Sequence, residues 1–216
     1  MPIVRTAPST TLEMESEILG QMIVDGADCT IRVGRNVTLN SDILIYGAVS
    51  GAVIEIADNC VLAGEFRLVR GHGGHIRIGE GTTFNQVGVS LHEGARVSFG
   101  HDCMLSTDIH MDPSDMHPIF DRGTGERLNP PQDIVVGDHV WLGTRVLLLK
   151  GAEIGSGSIV GAGAMVAGKL GENVLAIGSP ARVVRENVVW TRDMSEAPLI
   201  VPSSSPAPQK KTRWWR

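Results

Sequence analysis

The chain has 216 residues, a formal net charge of −5, 26 glycines and only 4% aromatic residues. The length allows one domain with its own core, and the acidic balance argues against a nucleic-acid-binding protein. The sequence lacks the ~18-residue apolar run of a transmembrane segment and the apolar N-terminal stretch of a secretory signal. Few aromatic residues and many glycines favour a core of small aliphatic side chains in strands.

Three cysteines, Cys29, Cys60 and Cys103, are too few and too scattered for a disulfide scaffold. No Cys-x-x-Cys pair is present, so the usual structural zinc site is not expected and no metal is predicted. We therefore predict reduced, buried thiols and a cytoplasmic location.

The N-terminal segment, residues 1–30, precedes the repetitive part of the chain. Within it, residues 10–23 predict a short helix, because Ser9 or Thr11 can cap its N-terminus and acidic residues follow in the first turns.

Aliphatic residues recur every six positions in the second half of the chain, at Val136, Leu142, Leu148, Ile154, Val160 and Val166. A period of six does not match a helix, but it fits a three-sided coil of about 18 residues with one short strand per side. The first residue of each hexad points inward, and a glycine beside it lets the backbone turn. A less regular version starts at Val33, and Cys60 and Cys103 occupy small inward positions. We predict an all-β domain of about six stacked coils over residues 31–188.

The repeat is interrupted between His110 and Asp133 by 24 residues rich in carboxylates, proline and glycine. A long loop on a regular scaffold usually carries function. The loop 110–133 is therefore the first candidate for a catalytic segment.

A short strand or turn follows residue 175, and the composition then shifts to serine and proline. We predict a disordered tail over residues 189–216. Its last 14 residues contain four cations and two tryptophans, so contact with an anionic membrane or polyanion is an alternative to a solubilising end.

Four stretches together resemble a known family: SDMHPIFD (114–121), DIVVGDHVWLG (133–143), IGSGSIVGAGAMV (154–166) and IGSPARVVRE (177–186). They are similar to the hexapeptide-repeat acyltransferases, and in particular to the bacterial sugar and polysaccharide O-acetyltransferases. The resemblance implies a single-stranded left-handed parallel β-helix, a homotrimer, and active sites between neighbouring subunits. It also implies acetyl transfer from acetyl-CoA directly to a hydroxyl of a sugar, nucleotide-sugar or surface polysaccharide.

The resemblance implies that His117 is the general base, because its motif position matches and imidazole exchanges protons near neutral pH. His110, in the same loop, is the competing candidate. An acceptor must hold one nitrogen of the base, and Asp112, Asp115 or a backbone carbonyl are the alternatives.

The resemblance also implies a coenzyme A groove along the late coils. By motif position, Trp141 lies near the thioester, Thr144 and Ala162 line the groove, and Arg182 and Arg185 contact phosphates. The usual Val-Thr-Lys pattern is replaced here by Val166-Ala167-Gly168, with the lysine one place later, at 169. A phosphate contact at that point is therefore in question.

Three other functions remain open. An N-acetyltransferase acting on an amino sugar has the same fold and base. A zinc hydratase on the same β-helix needs three histidine ligands with a close pair, and His110 and His117 are seven residues apart. A non-catalytic β-helix scaffold is the third alternative, and the loop histidine argues against it.

Overall fold

The structure, a computed structural model, describes residues 3–195 and contains strands but no helix in this range. The first nine strands are β1 (Val4–Thr6), β2 (Thr11–Met14), β3 (Met22–Val24), β4 (Thr30–Val33), β5 (Thr38–Ile45), β6 (Val49–Ser50), β7 (Val53–Ile56), β8 (Val61–Leu68) and β9 (Gly71–His72). The next seven are β10 (His75–Ile78), β11 (Thr83–Leu91), β12 (Arg96–Phe99), β13 (Met104–Leu105), β14 (Ile109–Asp112), β15 (Ile134–Val136) and β16 (Trp141–Leu142). The last seven are β17 (Leu147–Leu149), β18 (Glu153–Ile154), β19 (Ile159–Val160), β20 (Met165–Val166), β21 (Lys169–Leu170), β22 (Leu175–Ile177) and β23 (Arg182–Arg185).

The strands stack into a three-sided parallel β-solenoid. The first face is the eight-stranded sheet β2-β4-β7-β10-β12-β15-β18-β21. The second face contains β13, β16, β19 and β22, and the third contains β14, β17 and β20; the long strands β5, β8 and β11 bend across both. The final strand β23 pairs antiparallel with β22 and ends the solenoid.

The six-residue period places one residue of each side in the core, as predicted. All six aliphatic positions from Val136 to Val166 are at most 3% exposed, and Cys60 and Cys103 are fully buried. Each buried aliphatic side chain stabilises the fold by about 1.5–3 kcal/mol. The coil from Val135 to Glu153 takes the predicted 18 residues, whereas the coil from Val53 to His75 takes 22.

At the corners between the first and second faces, glycine is required for space and not, as the sequence suggested, for the turn of the backbone. A Cβ on Gly137 would lie 2.7 Å from the backbone nitrogen of Ser156 in the next coil, so glycine is needed there for space. The left-handed backbone falls two residues later, at His139 (φ 52°). Equivalent corners place Asp102 and Asn173 in the same conformation.

The predicted helix over residues 10–23 is wrong. Thr11–Met14 pairs in register with Thr30–Val33, and Met22–Val24 pairs with Ile43–Ile45. Pairing with the next coil outweighs the weak local preference for a helix, and it makes this segment the first coil. The parallel sheets therefore begin N-terminal to residue 31, at β1.

Residues 189–195, predicted to begin a disordered tail, are ordered against the solenoid. The Val188 nitrogen donates to the Asn173 carbonyl, and Trp190 is only 7% exposed against the solenoid. The remainder of the tail, residues 196–216, lies outside the described residues. No helix in residues 3–195 is long and apolar enough to cross a membrane.

Candidate active site

The long loop between β14 and β15 is ordered and closed at its base. The Gln132 nitrogen donates to the Pro113 carbonyl at 2.9 Å, and Leu128 donates to Ile119 across the loop at 2.8 Å. The loop leaves the solenoid at the corner between the third and first faces. Its closed base fixes where the loop histidine can lie.

Glu93, on the preceding coil, anchors this loop. Arg127 donates two hydrogen bonds of 2.8 Å to its carboxylate, and Ser114 Oγ donates a third at 2.6 Å. These bonds, first from Arg127 and then from Ser114, lower the pKa of Glu93 to about 2. The bidentate pair fixes both the position and the angle of the loop.

Asn129 is the centre of the loop and holds the backbone around His117. This buried amide donates at 2.9 Å to the carbonyl of His117 and at 2.9 Å to Asp115, and it accepts from the nitrogen of Ile119. Lys150 adds an ion pair to Asp115, and the hydrogen bonds from Lys150 and Asn129 lower the pKa of that carboxyl. The backbone of His117 is thus held from two sides.

His117 itself is exposed, and its imidazole makes no hydrogen bond within residues 3–195. Met116, directly before it, has left-handed backbone (φ 64°), and its carbonyl accepts from Arg70. The carboxylates of Asp112 and Asp115, both considered as its acceptor, bind other groups. A rigid backbone therefore presents an imidazole whose nitrogens are both available.

His92 and Asp112 form a buried pair beneath the loop that sequence reasoning missed. His92 Nδ1 bonds the Asp112 carboxylate, whose second oxygen accepts from the Ser114 nitrogen at 2.9 Å. Burial raises the pKa of Asp112 despite its bond to His92. Arg70 donates to the His92 carbonyl at 3.3 Å, which connects the pair to Met116. His92 and Asp112 are 20 positions apart on successive coils. The only sequence signal for their contact is that they occupy equivalent places in the repeat.

His110, the competing candidate, lies outside the anchored part of the loop. It belongs to β14, where its exposed ring approaches Asp108 at 3.4 Å and lies over Gly88. Within residues 3–195, no three His, Cys, Asp or Glu side chains form a group that could hold a metal ion.

The residues predicted for the cofactor lie along the late coils. Trp141, 37% exposed on β16, pairs with Ile159 on β19, which pairs with Leu175 on β22, which pairs in turn with Arg185 on β23. One row across the second face therefore runs from Trp141 to Arg185. At about 4.8 Å per strand this row is roughly 14 Å long.

The remaining three lie at or near the corner that ends the second face. The Thr144 hydroxyl bonds Ser106 Oγ at 2.9 Å, and the carbonyl of Thr144 accepts from Gly163 next to the exposed Ala162. Arg182 pairs with Ile177, the last residue of β22. The five predicted positions thus share one face and its edge, although the Thr144 hydroxyl is already bonded within the protein.

His117 and Trp141 are not brought together in one chain. The loop contacts Arg70, Glu93 and Lys150, which lie near the corner after the third face. Trp141 begins the second face, after the next corner of the solenoid. One chain therefore carries the loop and the positions predicted for coenzyme A at separate corners.

The three cysteines are buried and free. Burial raises the pKa of Cys29 and Cys60, and that of Cys103 to about 11. Such thiols are poor nucleophiles, which fits the prediction that they fill core positions.

Comparisons with known proteins agree with this architecture. The family model described as bacterial transferase hexapeptide (six repeats) matches residues 133–168. A polysialic acid O-acetyltransferase of Neisseria meningitidis is 33% identical over 183 residues, covering 81% of this chain and 80% of the relative. A polysialic acid O-acetyltransferase of Escherichia coli O1:K1 is 34% identical over 139 residues, covering 64% of this chain but only 45% of the relative.

Two solved structures resemble the whole solenoid. The polysialic acid O-acetyltransferase OatWY matches with a TM-score of 0.76 and 30% identity, over 92% of this chain and 91% of that one. The polySia-specific acetyltransferase NeuO matches with a TM-score of 0.58 and 25% identity, over 91% and 90%. The solenoid is therefore a left-handed β-helix. The chain belongs to the hexapeptide-repeat acetyltransferases, in their sugar O-acetyltransferase branch.

Proposed function

We propose that this protein transfers the acetyl group of acetyl-CoA to a hydroxyl of a sugar, nucleotide-sugar or surface polysaccharide, with His117 as general base. The observation that carries the proposal is the anchored loop, which holds the backbone of His117 and leaves its imidazole free. Relatives named as polysialic acid and galactoside O-acetyltransferases support a sugar acceptor.

Acetyl transfer to a sugar requires one general base within reach of the acceptor hydroxyl. Acetyl-CoA, when bound, supplies an activated thioester carbonyl. His117 removes the hydroxyl proton as the acceptor oxygen attacks that carbonyl, so that a C–O bond forms and the C–S bond breaks. The protonated imidazole returns the proton to the departing sulfur, and the products are the acetyl ester and free CoA. The buried cysteines leave direct transfer as the simpler route.

The residues of the proposed coenzyme groove offer the positive charge that a phosphorylated ligand requires. Arg182 and Arg185 are exposed, and neither has a carboxylate within 4.0 Å in residues 3–195. Their charges are thus available to the pyrophosphate or the 3′-phosphate. Lys169 already pairs with Glu153 at 2.8 Å, so part of its charge is offset within the protein. The exposed Ala162, between two glycines, allows a ligand to approach the backbone closely.

The separation of His117 from Trp141 supports a site that is completed between copies of the chain. We infer a homotrimer, in which the loop of one subunit faces the second-face groove of its neighbour. Such closed cyclic assemblies are common among homo-oligomers. The three free, buried thiols support a proposed reducing compartment such as the cytoplasm.

A thiol-release assay tests the function. Acetyl-CoA is supplied with sialic acid polymers, galactosides, maltose and amino sugars, and free CoA is measured against protein without acceptor. We expect release to depend on a hydroxyl-bearing sugar, with an alkali-labile acetyl ester in the product. Transfer only to amino sugars, with an alkali-stable amide, would replace this function by N-acetylation. No CoA binding and no release with any acceptor would favour the scaffold.

A further inference from the structure

The chain after β23 crosses the solenoid as a strap, residues 188–195, that neither the loop nor the proposed groove accounts for. The strap runs along the corner between the first and second faces. Its contacts move from Asn173 through His139 to Asp102 and Gly81, which lie progressively nearer the N-terminal end of the solenoid. A segment fixed across several coils has a defined position from which to act on its neighbours.

Trp190 is the centre of the strap and is bound on one side by His139. The two rings stack with centroids 4.0 Å apart and planes 7° from parallel. The Trp190 indole donates to the His139 carbonyl at 2.9 Å, and His139 Nε2 lies 3.1 Å from the Trp190 carbonyl. His139 Nδ1 in turn bonds Asp102 at 2.6 Å. The indole is therefore fixed in position, orientation and depth.

Arg192 secures the end of the strap. Its guanidinium donates to Asp102 at 2.6 Å, to Thr83 Oγ1 at 2.9 Å and to the Cys103 carbonyl at 2.8 Å. Although burial opposes the effect, the bonds from His139 and Arg192 lower the pKa of Asp102. Asp102 thus connects both halves of the strap, through His139 and through Arg192.

Trp190 also lies close to Trp141. Their ring centroids lie 6.1 Å apart with a tilt of 47°, a favourable geometry for an aromatic pair. Trp141 is 37% exposed on a narrow face, and within residues 3–195 Trp190 is the one aromatic ring that packs against it. An exposed indole without such a neighbour exchanges rotamers freely. The strap therefore supplies the fixed wall against which the Trp141 ring rests.

We propose that Trp190 is a positioning residue: through its contact with Trp141 it holds that ring in the orientation that receives the acetyl-CoA thioester. The inference rests on the proposed function, because it assigns Trp141 to the coenzyme side of the site. Trp190 touches no substrate. It acts by removing the rotational freedom that Trp141 would otherwise lose on binding.

The kinetic test compares Trp190→Ala with Trp190→Phe and Met194→Ala. Phenylalanine keeps a ring on His139, and Met194 is a fully exposed control in the same strap. We expect Trp190→Ala to raise KM for acetyl-CoA about two- to tenfold, the value of one aromatic contact. KM for the sugar stays unchanged. Trp190→Phe should keep KM for acetyl-CoA close to the wild-type value, and Met194→Ala should leave it unchanged.

A second measurement follows Trp141 without any activity. Replacing Trp214 and Trp215 by phenylalanine, together with Trp190→Phe or Trp190→Ala, leaves Trp141 as the single indole of the chain. Time-resolved anisotropy should show an immobile ring in the Trp190→Phe protein and a mobile ring in the Trp190→Ala protein.

An unchanged KM for acetyl-CoA, or equal anisotropy in the two variants, would overturn the inference. So would a joint rise of both KM values with loss of the oligomer, since that pattern indicates a purely structural strap. If the wild-type protein binds no CoA and releases no thiol, the proposed function itself fails. Anisotropy then still reports whether the strap holds the Trp141 ring.

Discussion

The solenoid and the loop 110–133, the proposed catalytic segment, are stabilised in different ways. The solenoid stacks aliphatic side chains such as Leu142 and Leu148 at 0% exposure, and every coil bonds its backbone to the next. The loop is held largely by ions and amides: Glu93 with Arg127, and Asn129 with the backbone of His117. Folding therefore depends mainly on the core. The placement of His117, the proposed base, depends on a few polar contacts that can be removed one at a time.

The largest expected effect is on the solenoid side. Phe66 is fully buried and packs 6.3 Å from the ring of Phe84. Phe66→Ala should cost about 3–5 kcal/mol in the free energy of unfolding, because it leaves a cavity that the stacked coils cannot close. Denaturant unfolding measures this. Val61→Ala, on the exposed side of the same strand, is the control and should stay within about 0.5 kcal/mol. A cost below about 1 kcal/mol for Phe66→Ala would contradict the account of the core.

On the loop side, Glu93→Gln should lower turnover about tenfold with a much smaller loss of stability than Phe66→Ala, because His117 loses its fixed position.

The loop should also respond to acid. Since the folded-state pKa of Glu93 is about 2, below the ordinary value of 4.5, its anchoring is complete above about pH 4.5 and is lost as the pH falls towards 2.

Hydrogen exchange over residues 114–130, corrected for intrinsic rates, measures this loss. We expect protection to fall between pH 4.5 and pH 2 in the wild type and to be low throughout in Glu93→Gln. Equal protection in both proteins at pH 5 would show that Arg127 and Ser114 do not hold the loop through this carboxylate.

A smaller effect is expected at the proposed coenzyme groove. Removing both Arg182 and Arg185 should raise KM for acetyl-CoA about three- to tenfold and leave kcat unchanged, because exposed charges bind phosphate but do not touch the reacting atoms. Lys169→Ala is the matched control, since that lysine pairs with Glu153. A larger rise in KM for acetyl-CoA from Lys169→Ala than from the loss of the two arginines would show that the arginines do not bind the coenzyme phosphates.

The smallest effect is expected at Cys103. Cys103→Ala should cost about 1 kcal/mol in stability and leave turnover per folded molecule unchanged, since this buried thiol has a pKa raised to about 11. Abolished turnover with an intact fold would indicate a covalent route through sulfur.

The regular half of the solenoid was predictable because six residues are the length of one side. Val136, Leu142 and Leu148 therefore carry both the period and the burial in the sequence itself. The first coil was missed because the seven residues TTLEMES are too few to show a six-residue repeat, and their strand exists through pairing with Thr30–Val33. Tertiary pairing of this kind outweighs local propensity.

Only those residues of the candidate site that a motif marks could be named from the sequence. His117 and Trp141 stand in short signatures, whereas the bond between Glu93 and Arg127 joins residues 34 positions apart. Trp190 was assigned to the tail because serine and proline dominate the residues C-terminal to it. No signal in the sequence joins Trp190 to its partner His139, which lies 51 positions earlier.

The role of His117 as general base is tested by the turnover of His117→Ala with acetyl-CoA and the best acceptor, measured by thiol release and compared with His110→Ala. We expect a loss of about 10²-fold or more for His117→Ala, with the oligomer and the melting temperature intact, and little change for His110→Ala. Retained turnover in His117→Ala, together with its loss in His110→Ala, would show that His117 is not the base.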